Sequence, residues 1–272
     1  MKARRGDPIY GAAIGAGRAL FGVLGVRPQV TGAENLPRTG GAVLAITHFG
    51  YLDFALVEWV MWKHNRRHIR FLAQKAAFSN PLIGWLLRGM RHISVDMKAG
   101  ADAYQRAVDA LRSGEVLGVF PEGGVSAAYT VRELKTGAIR MASEAGVPVI
   151  PIAVWGGHRL LTKGSTSTFA KKFGVPVRFS VGVPLTVAGG LTAAGITADI
   201  AADTQKLRGT LQALLDDLQK TYPVDGTAQS WQPAHLGGTA PTPEAAAITE
   251  AARQERKTRE RLERLERETT KN

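Results

Sequence analysis

The sequence predicts an α/β fold: a mixed, largely parallel sheet flanked by helices. An N-terminal helical segment at a membrane interface precedes it, and a charged helical C-terminal tail follows. Three observations predict this. From residue 41, strand-length apolar runs alternate with helix-length segments. The runs are continuous rather than alternating, as strands covered on both faces require. Two helical segments end on Gly114 and Gly146, the residue type that most readily leaves a helix in a left-handed turn. With 272 residues and 44% hydrophobic content, the chain can bury one full-sized core.

The elements follow in order. A basic start, "MKARRGDP", leads into "IYGAAIGAGRALFGVLGV", residues 9–26, whose one charge is Arg18. This stretch is too short and too interrupted to span a bilayer. Residues 1–27 are expected to associate with a membrane interface, with Lys2, Arg4 and Arg5 near anionic headgroups. Packing on the core is the equal alternative. Residues 28–223 form the α/β domain. Its strand-like runs are "GAVLAIT", "HIRFLA", "ISVD", "EVLGVF", "VPVIPIAVW" and "VPVRFSVG"; its helices are "DFALVEWVMWKHN", "PLIGWLLRGM", "ADAYQRAVDALRS" and "LKTGAIRMASEAG". A loop after residue 183 leads into an amphipathic helix ending near Tyr222-Pro223. Residues 224–272 read as a flexible Pro/Gly/Thr-rich linker and a charged, fraying helix. Glu255–Arg259, Glu260–Arg264 and Glu263–Arg267 stand at i,i+4 there, with no apolar stripe to bury.

A net charge of +12 and a pI near 10.2 call for a polyanionic partner. The cations are not interleaved with stacking aromatics and no nucleic-acid signature occurs, so nucleic acid is not expected. The absence of cysteine excludes disulfides, thiolate metal sites and cysteine nucleophiles. Ser126 sits in "GVSAA", without the second glycine of a nucleophile elbow. No phosphate-binding loop occurs either. His64 and His68 in "KHNRRHIR" are read as a solvated basic loop, because the surrounding cations oppose a metal.

Three stretches carry chemistry, each near the end of an apolar run. In "HFGYLD" a strand stops at His48 and a helix opens near Asp53. The aspartate can accept one imidazole nitrogen and leave the other to take a proton from an alcohol; a structural histidine beside a capping carboxylate is the alternative. In "FPEGGVS", residues 120–126, the glycines let an anion approach the backbone closely, and Glu122 needs a partner. The third, "QKAAFSNPLIGWLLRGMRHISVD", sets Lys75, Arg88 and Arg91 in an apolar segment. That suits a phosphate-bearing amphiphile, or cations snorkelling on a helix.

Together these stretches resemble the glycerophospholipid acyltransferase family, over roughly residues 30–185. Its His-x4-Asp motif is matched by His48 and Asp53. Its second motif is matched by Lys75, Pro81, Gly84 and Gly89. Its Phe-Pro-Glu-Gly-Thr-Arg-Ser is matched by residues 120–126, and its proline-centred strand by "VPVIPIAVWG" with Pro151. The resemblance implies that His48 is the base and Asp53 its orienting partner, with backbone amides near Gly123-Gly124 holding the oxyanion. It implies that Lys75, Glu122, Gly123, Gly124, Arg91 and Lys135 bind substrate, with no metal or prosthetic group. The implied co-substrates are acyl-CoA or an acyl-carrier protein and a lysophospholipid, at an anionic membrane surface on the cytoplasmic face. One departure stands out. Gly124-Val125 replace Thr-Arg, and valine cannot grip a phosphate as arginine does. Either another cation substitutes (Lys75, Arg91, Arg132 or Lys135) or the acceptor is not lysophosphatidic acid.

Overall fold

Seven strands form one sheet in the computed structural model, which describes residues 8–96, 100–162, 169–187 and 196–269. They are β1 (Pro28–Thr31), β2 (Ala42–Ile46), β3 (Ile69–Gln74), β4 (Ile93–Val95), β5 (Val116–Val119), β6 (Val149–Trp155) and β7 (Val177–Val181). Their order is β1-β7-β6-β2-β5-β3-β4. β2 lies parallel to both β5 and β6, and β3 parallel to β5 and β4. β7 runs antiparallel to β6 and carries β1 parallel to itself. Five strands therefore end on one rim, the place where α/β sheets gather their sites. The continuous apolar runs are the central strands: every residue of β2, β5 and β6 is buried.

The helices are α1 (Pro8–Val23), α2 (Asp53–Asn65), α3 (Lys75–Phe78), α4 (Pro81–Gly89), α5 (Ala101–Arg112), α6 (Gly137–Ala145), α7 (Ile196–Lys220) and α8 (Pro243–Thr269). Side chains alternate across a strand, so β2 divides its residues between two layers. Leu44 and Ile46 join Phe21 of α1, and Leu56 and Met61 of α2, in one cluster. α5, α6 and α7 pack against the sheet strands and one another on the other side. β1 is absent from the sequence prediction because it has no apolar run. Its residues alternate between half-buried and exposed, and only pairing with β7 makes it a strand.

The chain divides into two compact units, 1–125 with 131–223, and 126–130 with 224–272. α1 belongs to the first. Its Tyr10 hydroxyl donates to the Ile69 carbonyl, and Tyr10, Ile14 and Phe21 are buried while Leu20 and Val23 are exposed. The basic stretch around His68 is not simply solvated. Its ring stacks on Tyr10 at 4.1 Å, and Nδ1 lies 3.0 Å from the buried Glu58 carboxylate. Lys2, Arg4, Arg5 and residues 188–195, where a loop is expected, lie outside the described residues.

In the second unit the stretch predicted as an open linker makes its own turns. Ala228 N–H donates to the Gly237 carbonyl at 2.8 Å, Thr239 N–H donates to that of Gln229 at 3.0 Å, and Asp225 accepts from both the amide and the hydroxyl of Thr227. α8 carries the expected Glu263–Arg267 pair at 3.4 Å. The pair is exposed on both sides, so it adds little stability.

Candidate active site

The turn between β2 and α2 is organised by one carboxylate. Asp53 is 1% exposed, and its Oδ2 accepts the amides of Phe49 at 2.9 Å and Gly50 at 2.8 Å. The same oxygen lies 3.3 Å from His48 Nδ1. A buried carboxylate is tolerated when amide donors surround it, and the start of a helix favours its charge. With Nδ1 on Asp53, Nε2 is the imidazole nitrogen left for the cleft that His48 lines. Phe120 stacks on the ring at 4.1 Å.

The glycine inside "HFGYLD" has a steric reason. A Cβ on Gly50 would stand 2.9 Å from the backbone of His158, so the turn fits only against the chain leaving β6. Gly157 is the reciprocal contact: its Cβ would meet Asp53 Oδ1 at 2.9 Å. Tyr51 N–H donates to the Leu161 carbonyl and Thr162 Oγ1 to that of Phe49, closing the same seam. The glycine pair after Trp155 is the sequence signal for this support, and it lies outside the His48 and Glu122 motifs.

The rim of β5 supplies the second wall. Glu122 was expected to position a substrate headgroup, but its side chain is fully buried. One oxygen accepts the His48 amide at 3.0 Å and the other the Arg132 amide at 3.2 Å. Glu122 therefore anchors the backbone that carries the imidazole. Burial pushes its carboxyl up to about 7, partly offset by the amides of His48 and Arg132. Gly123 (φ +72°) adopts a left-handed conformation, and its N–H donates to the Phe120 carbonyl at 3.0 Å. Of the two amides expected to hold an oxyanion, that of Gly123 is thus engaged within the turn.

The cations divide between two places. Lys135 lines the cleft with His48, Gly123 and Gly124, in a space of about 400 Å³. Arg132 lies over the same turn, where Nη2 donates to the carbonyls of Gly124 at 2.7 Å and Glu122 at 3.3 Å. Lys75 and Arg91, also expected at the substrate, line a different groove. Lys75 Nζ pairs there with Asp96 at 3.1 Å. β3 ends at Gln74, which faces the His48 cleft, and the chain turns into α3 at Lys75, carrying the lysine away. Among the described residues, no group of three or more metal-ligating side chains converges.

A family model described as Acyltransferase matches residues 27–155. The 1-acyl-sn-glycerol-3-phosphate acyltransferase of Bacillus subtilis is 31% identical over 140 residues, covering 50% of this chain and 68% of the relative. The chain belongs to the glycerophospholipid acyltransferase family. As a member it is an O-acyltransferase of phospholipid biosynthesis. A chloroplastic 1-acyl-sn-glycerol-3-phosphate acyltransferase of Arabidopsis thaliana is 28% identical over 141 residues, 50% of this chain but 38% of the relative. The fold is that of the acyltransferase crystal structure from Thermotoga maritima, with a TM-score of 0.62 at 20% identity over 79% of this chain and 81% of that one.

Two outcomes follow for this acyltransferase. Glu122 binds its proton more tightly folded (about 7) than at its ordinary value of 4.5. The stability this gives is complete below pH 4.5 and lost as pH rises to 7, an effect of about 3 kcal/mol. The melting temperature of Glu122→Gln should lack that part of the slope; parallel slopes in both proteins would refute the assignment. Gly157→Ala should push Asp53 off its place and lower kcat by roughly 10- to 100-fold, with the circular dichroism spectrum retained. An unchanged kcat would show that the contact at Gly157 does not position the carboxylate.

Proposed function

We propose that the enzyme transfers a fatty acyl group from acyl-CoA or an acyl-carrier protein to the free hydroxyl of 1-acyl-sn-glycerol-3-phosphate, giving phosphatidic acid. The observation that carries this reading is the His48–Asp53 pair, set on the rim of a cleft that also holds Lys135. His48 Nε2 removes the hydroxyl proton as the acceptor oxygen attacks the thioester carbonyl. Asp53 orients the ring and stabilises the imidazolium. The Gly124 amide donates to the oxyanion. The carbon–sulfur bond then breaks, and the thiolate leaves with the proton that His48 had taken. No acyl-enzyme is formed, and these steps use only side chains and backbone of the chain.

An apolar cavity of about 420 Å³ suits the fatty chain. Ala13, Phe21, Phe54, Phe71 and Met90 are among its lining residues. Phe71 stacks on Phe120, which stacks on His48, so an aromatic ladder links the base to this cavity. The names borne by the relatives favour a lysophosphatidate acceptor. Val125 favours a second reading, an acceptor without the phosphate: another lysophospholipid, a glycolipid or an aminolipid. A lipid acceptor places the reaction at a membrane, and the net charge of +12 suits an anionic surface on the side where acyl-CoA is available. No described helix is long and apolar enough to cross a membrane.

With labelled acyl-CoA and lysophosphatidate, His48→Ala should lower turnover by about 10²- to 10⁴-fold, with lipid binding unchanged. Full turnover in that variant would eliminate the general-base role. Lys135→Met should raise KM for lysophosphatidate by roughly 10-fold or more, the weight of a charge-assisted contact. Its effect on a monoacylglycerol acceptor should be small. Equal KM changes for both acceptors, or faster transfer to the phosphate-free one, would favour the second reading.

A further inference from the structure

α4 presents its large apolar side chains to water. Leu82 is 74% exposed, Ile83 49% and Trp85 56%, whereas Gly84 is buried, with room for no Cβ beside the Phe78 carbonyl. Leu86 and Leu87 pack inward, on the cluster of Tyr10, Ile14 and Met90. The helix therefore has an apolar inner face and a second apolar face that stays exposed among the described residues. Its start is firmly built: Asn80 accepts the amides of Leu82 at 3.1 Å and Ile83 at 3.0 Å, with Pro81 at the first position.

Cations outnumber acids around this face. Residues 80–95, "NPLIGWLLRGMRHISV", contain two arginines and no acid. Arg88 and Arg91 at the end of α4, with Lys75 and Arg106, line an open groove of about 810 Å³ beside edge strand β4. Of the neighbouring acids, Glu115 pairs with Arg70 and Asp96 with Lys75, while Asp109 accepts from the neutral Gln105 amide. Arg91 adopts a left-handed backbone (φ 58°), where glycine would be less strained. An arginine there points to a use for its charge.

The apolar face also continues beyond α4. Ile9 of α1 packs on Gly89, and from that junction α1 runs to its own exposed Leu20 and Val23. Its exposed positions between are small and uncharged apart from Arg18.

We propose that α4, with the outer face of α1, is the membrane-docking surface of this protein, and that its occupant is a bilayer containing anionic phospholipid. Leu82, Ile83 and Trp85 enter the interface, and Arg88 and Arg91 meet lipid phosphates at its rim. An exposed tryptophan beside aliphatic residues and cations is the pattern that such interfaces select. A soluble acidic partner would engage the cations but would leave three large apolar side chains unexplained. The inference rests on the lipid-acceptor reading only in placing the enzyme at a membrane. Its readout is binding, so it can fail while acyl transfer stands.

The test is flotation of the full chain with vesicles of phosphatidylcholine, with or without phosphatidylglycerol. Wild type and His48→Ala should float equally with the anionic vesicles and far less with the neutral ones. The Leu82→Ser/Ile83→Ser/Trp85→Ser variant should lose at least about tenfold in partition. Arg88→Gln/Arg91→Gln should lose the preference for phosphatidylglycerol. In the wild type, brominated acyl chains should quench a component of tryptophan emission that is missing in Trp85→Phe. Undiminished flotation of the triple variant, or equal quenching in wild type and Trp85→Phe, would overturn the proposal. So would a wild-type dimer in solution that the triple variant abolishes, because the face would then belong to a second copy.

Discussion

The site depends on a single buried carboxylate. Asp53 Oδ2 gathers two backbone amides and the imidazole within hydrogen-bonding reach. One interaction thus folds the turn after β2, opens α2 and orients His48. A charge with such low exposure is stable only because its donors are fixed around it, and those donors are backbone groups of the same turn. The carboxylate and the turn therefore require each other. A second seam fixes both: a methyl group on Gly50 would strike the His158 backbone, and one on Gly157 the Asp53 carboxylate.

The second carboxylate has a different task. Glu122 sits at the tip of β5 as the motif suggests, yet both its oxygens point at amides, one of them that of His48 itself. The imidazole is thus held from two sides, through its ring by Asp53 and through its backbone by Glu122. Two separate strands must be in register for this to happen, and β2 and β5 are adjacent and parallel in the sheet. Changes at Glu122 should therefore disturb the position of the His48 ring first.

Replacing the expected arginine by Val125 does not leave the turn without cations. Arg132 lies over Gly124 and Lys135 over Gly123, close enough that a Cβ on either glycine would collide with them. Both come from the segment that leads back from residue 131 towards α6, and Lys135 N–H donates to the Pro121 carbonyl at 2.9 Å. The small residues of the turn and the long cations of the returning segment are two halves of one packing arrangement. Lys75 and Arg91, by contrast, belong with the exposed face of α4. The cations near the motifs are thus divided between the cleft that His48 lines and an outer groove.

By itself the sequence determined the fold class, the central strands and the two ends of the His48–Asp53 pair. These depend on local causes: unbroken apolar runs for strands buried on both faces, glycine stops for helices, and a five-residue spacing that a single turn spans. It also carried the family, because the motifs survive as linear strings. β1 could be decided only by the tertiary structure, since four half-exposed residues become a strand through a partner nearly 150 positions away. The same holds for Glu122, whose residue type says that it needs partners but not that they would be two amides. It holds again for Lys75 and Lys135, both cations near a motif. Lys75 follows the end of β3 into the outer groove, whereas Lys135 returns over the tip of β5 into the cleft that His48 lines. Spacing along a chain constrains what neighbours can do. Which distant groups meet, and which face a side chain takes, is set by packing that no local string contains.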